Sequence, residues 1–179
     1  MGLTMKMVKI LLWNILAISV LMVTACSTPI VSQDGMTTTV VLVRHAEKTA
    51  VTKELTEGGR KRAAALPAAV IDLDIAAIYS PNLIRNIDTA KPLAKQRNLE
   101  ITIIEDNPDW KEVTQRLVSD HPGKAVLWVG NRGNLIHIYS HLGGTGEPPL
   151  EYGDLYVVSV SDQGSPKVIK RHFGTAYFN

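Results

Sequence analysis

The chain has 179 residues, of which 45% are hydrophobic and 20% charged, a composition typical of one globular domain. Lys6 and Lys9 are the only charged residues among the first 25, so the remainder carries 17 basic and 17 acidic residues. This balance, without a dense basic stripe, argues against nucleic acid as a partner. Cys26 is the only cysteine, which excludes an intrachain disulfide framework.

The first 25 residues have the organisation of a secretory signal peptide. A short basic region precedes Ile10–Val23, a run of 14 residues in which only Asn14 and Ser19 are not apolar. This run is shorter than the roughly 17–25 residues that a membrane-spanning helix needs. A short or tilted anchor that is never cleaved is the alternative interpretation.

The residues that close this segment resemble a known processing site. Val23-Thr24-Ala25-Cys26 is similar to the lipobox of bacterial lipoproteins, in which the cysteine is lipidated and becomes the new N-terminus. The resemblance implies several acyl chains at Cys26, which would anchor the protein stably to a membrane. Because Ser27 follows the cysteine, it also implies an outer-membrane location facing the periplasm in a cell with two membranes. A cysteine that merely lies near a signal peptide is the alternative.

The remainder divides into a tether and one domain. Residues 26–37 are rich in Ser, Thr, Pro and Gly and predict a flexible tether. Residues 38–179 alternate apolar β-branched runs with helical patterns, which predicts an α/β three-layer sandwich with a mostly parallel sheet. The predicted strands are 39–43, 76–80, 101–104, 124–129, 155–160 and 168–173, and the predicted helices are 60–70, 81–98, 108–120 and 133–142.

Prolines and a capping residue predict where the first two helices begin, bend or end. Thr56 is expected to begin the first helix, Pro67 to bend or end it early, and Pro81 to open the second helix. Pro92 is expected to break the second helix. The last two strands are expected to form a hairpin or an edge pair.

Polar loops follow three of the predicted strands. They are Arg44–Glu47, Ser80–Arg85 and Gly130–Asn134. Ligands of open α/β sheets bind beyond the carboxyl ends of the strands, so we expect these loops to converge on one site if the strands are neighbours.

Four segments in order resemble the histidine phosphatase superfamily, also called phosphoglycerate mutase-like. Val41–Glu47 is similar to its RH signature, and Leu55–Ala63 to its LTxxGxxxA segment. Ile78–Arg85 with Asp88-Thr89-Ala90 is similar to its SSPxxRxxxTA segment, with one extra residue between proline and arginine. Val126–Gly130 followed by Leu142-Gly143-Gly144 is similar to its VLVVGH…LGG segment. The resemblance covers residues 39–174.

The resemblance implies a metal-independent reaction without a cofactor, through a phosphohistidine. His45 would be the nucleophile, and Arg44 and Arg85 would bind the phosphoryl group of a phosphorylated small molecule. Chemistry supports these roles, because an imidazole attacks phosphorus readily and planar guanidinium groups match phosphoryl oxygens. Glu47 is expected to be structural, as a helix cap or in a salt bridge.

One residue departs from the superfamily pattern. The superfamily places a second catalytic histidine where this chain has Asn131. Asparagine can donate a neutral hydrogen bond but carries no charge, and losing one such donor typically costs about 2.7–4 kcal/mol. We hypothesise that Arg132, at the start of the following helix, restores part of this charge to a phosphate-binding group formed with Asn131.

The general acid is open at this stage. Glu105 is the first candidate by chain position, and Asp106, Asp109 and Glu112 are the others, although each also fits a solvated acidic loop. The loop Thr145–Glu151 is a candidate for covering the site.

Two functions follow from these residues. The first is a membrane-anchored phosphatase acting on small phosphoesters outside the cytoplasm, and mutase activity is less favoured because the loop after the first strand is short. The second is a catalytically inactive lipoprotein that binds an anionic ligand or a protein partner, and Asn131 favours it. His137 and His141 lie four residues apart on a predicted helix, but the following glutamate of a metalloprotease helix is replaced by Ile138, so no metal is expected.

Overall fold

The computed structural model describes residues 29–105 and 108–175. The strands of its sheet are β1 (Thr37–Arg44), β2 (Ile75–Pro81), β3 (Ile101–Ile104), β4 (Ala125–Gly130), β5 (Asp154–Ser161) and β6 (Lys167–His172). Its helices are α1 (Glu57–Ala69), α2 (Ile84–Arg97), α3 (Trp110–Ser119) and α4 (Arg132–His141). The predicted signal peptide and Cys26 lie outside the described residues.

The sheet has six strands in the order β3-β2-β4-β1-β5-β6. The first four are parallel to one another, while β5 pairs antiparallel with both β1 and β6. The prediction of a mostly parallel sheet closed by an edge pair is confirmed. Since β1, β4 and β2 are neighbours, their carboxyl ends lie side by side.

Helices cover both faces of the sheet, as the three-layer prediction requires. Val41 and Val43 of β1 face the core beneath α1 and α2, whereas Val40 and Leu42 face the core beneath α3 and α4. Successive residues of a strand point to opposite faces, so a strand buried on both faces must be apolar throughout. This explains the continuous run of β-branched residues in β1.

The predictions for Pro81 and Pro92 are wrong, whereas the predicted bend at Pro67 stays a prediction. Pro67 and Pro92 lie inside α1 and α2, which continue past them, and Pro81 ends β2, so that α2 begins only at Ile84. An internal proline costs about 3 kcal/mol in an isolated helix. Burial of Leu66 and of Leu93 against the sheet holds each helix together in spite of that cost.

The segment predicted as a tether is in contact with the domain from Ile30 onward. Ile30 packs against the core, and the Ser32 amide donates to the Ser161 carbonyl across 3.2 Å. Ser32 Oγ lies 2.8 Å from Thr38 Oγ1. These contacts shorten the tether and bring the chain into the sheet at the amino end of β1.

Within residues 29–105 and 108–175, no helix is both long and apolar enough to cross a bilayer.

Candidate active site

His45 lies directly after β1, and hydrogen bonds from neighbouring elements fix its backbone. Its amide donates to the Gly130 carbonyl at the end of β4 across 2.9 Å. The next amide, of Ala46, donates to Thr89 Oγ1 across 2.9 Å, and that hydroxyl donates to the Arg85 carbonyl across 2.7 Å. The ends of β1 and β4 and the first turns of α2 therefore meet at His45, as the loop positions predict.

The two ring nitrogens of His45 have different partners. Nδ1 lies 2.8 Å from the Ala46 carbonyl oxygen, which can only accept, so Nδ1 carries the proton. Nε2 keeps its lone pair and accepts a hydrogen bond from Arg85 Nε across 3.2 Å. The ring is thus held in the tautomer in which Nε2 can act as a nucleophile.

Burial and neighbouring positive charge keep this imidazole neutral. His45 is only 2% exposed, and desolvation, aided by the charges of Arg85 and Arg44, lowers its pKa from 6.5 to about 4. The hydrogen bond to the Ala46 carbonyl opposes this shift without cancelling it. At neutral pH the His45 imidazole is therefore uncharged, the form that a nucleophilic role requires.

The guanidinium group of Arg44 uses only part of its hydrogen-bonding capacity. Its Nη1 donates to the Leu150 carbonyl across 2.8 Å, and its Cζ lies 3.9 Å from the centre of the Tyr152 ring. Its Nε is buried and has no hydrogen-bond acceptor among the described residues. Burial lowers the Arg44 pKa, yet the group stays charged at any ordinary pH. A phosphoryl oxygen beside Arg44 would supply the acceptor that Nε lacks.

The Tyr152 ring contacts the side chains of both Arg44 and His45. Besides stacking on Arg44, its ring meets the His45 ring edge-on, with centroids 5.8 Å apart. The following glycine, Gly153, has φ +92, and a Cβ there would lie 2.3 Å from the His172 ring. A tight turn that only glycine fits therefore brings Tyr152 to the site.

Glu47 is structural, as the sequence predicts. Its carboxylate accepts from Arg62 Nε across 2.9 Å and from Arg62 Nη2 across 2.6 Å. Burial would raise the pKa of Glu47, but the hydrogen bonds from Arg62 outweigh it, and the pKa is lowered. Arg62 also donates to the Phe173 carbonyl across 2.8 Å, which ties the His45 loop to the chain after β6.

Asn131 is the N-cap of α4, and the cap occupies its side-chain oxygen. Its Oδ1 accepts from the amides of Gly133 and Asn134 across 3.1 and 3.3 Å, and Asn134 Oδ1 accepts from the Asn131 amide across 2.9 Å. This reciprocal capping box satisfies the orphan amides of the helix start. Asn131 Nδ2 makes no hydrogen bond within the described residues, so it remains available to an anion.

Arg132 lies at the mouth of the site and is exposed. Its charge acts on Arg44, whose pKa it helps to lower. Its Nη2 lies 3.6 Å from Glu151 Oε1, an ion pair longer than a hydrogen bond. Arg132, which we hypothesise to replace the charge of the missing histidine, thus lies close to Arg44. It also has the Glu151 carboxylate as a neighbour.

The predicted general acids lie apart from His45. Glu105 is exposed at the end of β3, an edge strand separated from β1 by β2 and β4, which corresponds to about 14 Å at ordinary strand spacing. Asp109 is the N-cap of α3, where its Oδ1 accepts from the Lys111 amide across 2.8 Å, and Glu112 is exposed in the first turn. Asp106 lies outside the described residues.

Three residues of this site had no predicted role. Thr89 belongs to a motif quoted above, and its hydroxyl positions Ala46 and Arg85. Glu151 is the last residue of the loop that the sequence suggests as a cover, and Tyr152 directly follows that loop. The glycine–proline pattern of that loop is the available signal, but it does not say which side chain turns inward.

The remaining histidines form no metal site in the described part of the chain. Residues 29–105 and 108–175 contain no group of three or more His, Cys, Asp or Glu side chains suited to a metal ion. His121 Nε2 lies 2.8 Å from the Tyr79 hydroxyl, and His172 Nε2 lies 3.4 Å from Arg62 Nη1. Both are therefore engaged in structural contacts.

Comparison with known protein families gives a match that covers part of this site. The model of the histidine phosphatase superfamily (branch 1) matches residues 40–113, which include Arg44, His45 and Arg85. No curated protein gives a significant sequence match.

Solved structures share the fold at low sequence identity. YhfR of Bacillus stearothermophilus is 21% identical, with a TM-score of 0.60, over 73% of this chain and 95% of its own. A mycobacterial glucosyl-3-phosphoglycerate phosphatase is 16% identical, with a TM-score of 0.54, over 74% of this chain and 97% of its own. The protein histidine phosphatase SixA, complexed with tungstate, is 13% identical, with a TM-score of 0.57, over 75% of this chain and 96% of its own.

The structure places a buried neutral histidine between two arginines at the carboxyl end of β1. Residues 40–113, which contain these three side chains, match the histidine phosphatase superfamily. The α/β fold of the domain is that of phosphoglycerate mutase-like proteins.

Proposed function

We propose that the chain is a phosphatase that hydrolyses small phosphoesters through a phosphohistidine at His45. The observation that carries the proposal is the state of this ring, neutral and with Nε2 accepting from Arg85. The unsatisfied Nε of Arg44 supports a phosphoryl group as the ligand. Substrate would displace the Arg85 contact, so that Nε2 faces phosphorus while both guanidinium groups bind its oxygens.

Turnover of phosphoesters by the detergent-solubilised full chain tests this proposal. The assay contains a chelator, because the mechanism uses no metal. We expect His45→Ala to abolish turnover and His137→Ala, an exposed helix position, to leave it unchanged. Turnover that survives in His45→Ala, or that disappears in chelator, would contradict the proposal.

A second candidate is a non-catalytic protein that binds an anion. The observation that favours it is the engagement of Asn131 Oδ1 in the α4 cap, which leaves one neutral donor where the superfamily has a charge. Phosphate-dependent stabilisation against heat, with no turnover in the natural sequence and turnover in Asn131→His, would support this candidate over the first.

We also propose that the protein acts outside the cytoplasm, held to a membrane through lipidated Cys26. The lipobox resemblance and the signal-like segment before it support this location. Mass spectrometry of the membrane fraction tests it. We expect a processed N-terminus carrying acyl chains at Cys26 and release of Cys26→Ser into the soluble fraction, whereas an unmodified cysteine on an uncleaved chain would contradict it.

A further inference from the structure

Glu151 lies in the sequence between Leu150 and Tyr152, which both contact Arg44. The Leu150 carbonyl accepts from Arg44 Nη1, and the Tyr152 ring stacks on the same guanidinium. The Glu151 amide donates to Asp154 Oδ2 across 2.9 Å, which fixes its backbone. Building on the proposed function, we propose that Glu151 is the general acid that protonates the leaving oxygen of the substrate.

The other carboxylate near the site is unsuited to this role. Glu47 and Glu151 are the carboxylates whose charges act on Arg44. Glu47 is bound by two nitrogens of Arg62 and has a lowered pKa, so it stays ionised. Glu105, which the sequence favours, lies at the far edge of the sheet. Glu151 alone combines proximity to Arg44 with an exposed carboxylate that no hydrogen bond occupies in the described part of the chain.

Substrate binding would change the charge around Glu151. Without substrate, Arg132 Nη2 lies 3.6 Å from Glu151 Oε1. A bound phosphoryl dianion attracts Arg132 and also places negative charge beside Glu151. Release from Arg132 would leave the Glu151 carboxyl group able to approach the leaving oxygen and donate its proton.

The reaction would use Glu151 in two proton transfers. His45 Nε2 forms a bond to phosphorus as the bond from phosphorus to the leaving oxygen breaks, and the proton of Glu151 passes to that oxygen. The resulting Glu151 carboxylate takes a proton from the water that attacks the phosphohistidine. Cleavage of the nitrogen–phosphorus bond releases inorganic phosphate and restores neutral His45 and protonated Glu151.

The dependence of rate on leaving group tests Glu151. An alkyl phosphate needs protonation of its leaving oxygen, whereas an aryl phosphate such as p-nitrophenyl phosphate needs little. We expect Glu151→Gln to lower kcat/KM by about 10²-fold or more for the alkyl ester. We expect a change within about threefold for the aryl ester, because its leaving group is stable as an anion.

Two matched variants serve as controls in the full-length protein. Glu147→Gln removes an exposed carboxylate from the same loop and should leave both rates unchanged, and Glu105→Gln tests the residue favoured by the sequence. Equal loss with both esters in Glu151→Gln, tighter phosphate binding without loss of rate, or leaving-group dependence in Glu105→Gln would each overturn the assignment. Absence of any His45-dependent turnover in the natural chain would overturn the proposed function and the assignment together.

Discussion

Arg85 donates its Nε hydrogen to Nε2 of His45 across 3.2 Å. The positive charge of Arg85 thus adds to burial in keeping His45 neutral. Under the proposed function, the same guanidinium group would leave Nε2 and bind the phosphoryl group when substrate arrives.

Titration of His45 checks this arrangement. NMR of the ring nitrogens should show the Nδ1–H tautomer and a midpoint near pH 4, because burial and positive charge lower the pKa from 6.5 to about 4. Arg85→Gln should raise the midpoint by removing one charge, and Arg116→Gln, at an exposed position of α3, should not. A midpoint near 6.5 in the natural chain would contradict the buried environment.

The same pKa predicts how stability depends on pH. A folded-state pKa below the unfolded one means that the unfolded chain binds protons first as pH falls. The His45 contribution is therefore complete above about pH 6.5 and is lost progressively as pH falls towards 4. Urea unfolding of the natural chain and His45→Gln should show a difference in free energy that changes across this window, and a constant difference would refute the linkage.

Replacing Asn131 by histidine should affect rate and stability in opposite directions. A charged donor restored near the phosphoryl group should raise turnover by about 10²–10³. Loss of the α4 cap should lower the free energy of unfolding by about 1 kcal/mol. Asn131→Ala is the control, since it loses the cap without adding a donor, and an equal turnover in both variants would mean that the histidine position does not limit the rate.

Arg132 should contribute to anion binding even though it is exposed. Arg132→Ala should weaken vanadate binding about tenfold, because a charge-assisted hydrogen bond is worth about 1.5–3 kcal/mol and exposure reduces it. Arg116→Ala, which removes an exposed arginine paired with Asp120, is the comparison. Unchanged vanadate affinity in Arg132→Ala would show that Arg132 does not replace the missing histidine charge.

The buried pair of Glu47 and Arg62 should show strong coupling. Arg62→Met leaves a partly buried carboxylate without its partner and should cost about 3–5 kcal/mol in the free energy of unfolding. The double variant with Glu47→Gln should cost less than the two single variants added together. Additive losses in urea unfolding would mean that the two side chains act independently.

These residues also show how far sequence reasoning reaches. The run Thr39–Val43 identifies a strand buried on both faces, and the RH and TA motifs identify His45 and Arg85, because local pattern and spacing carry that information. Pro92 misleads, because packing of Leu93 on the sheet outweighs a local penalty. Glu151 and Tyr152 could not be assigned, since the path of an irregular loop depends on contacts with Arg44 that sequence spacing does not encode.

The place where the chain enters the sheet determines how an anchored domain would be oriented on a membrane. Residues 29–36 lead into the amino end of β1, and the candidate site lies at the other end of that strand, about 26 Å away at ordinary strand rise. Only three residues separate Ile30 on the core from Cys26, a reach of at most about 14 Å. An anchor proposed at Cys26 would hold the domain close to the bilayer with its mouth turned outward, which favours dissolved phosphoesters over lipid headgroups of the same membrane.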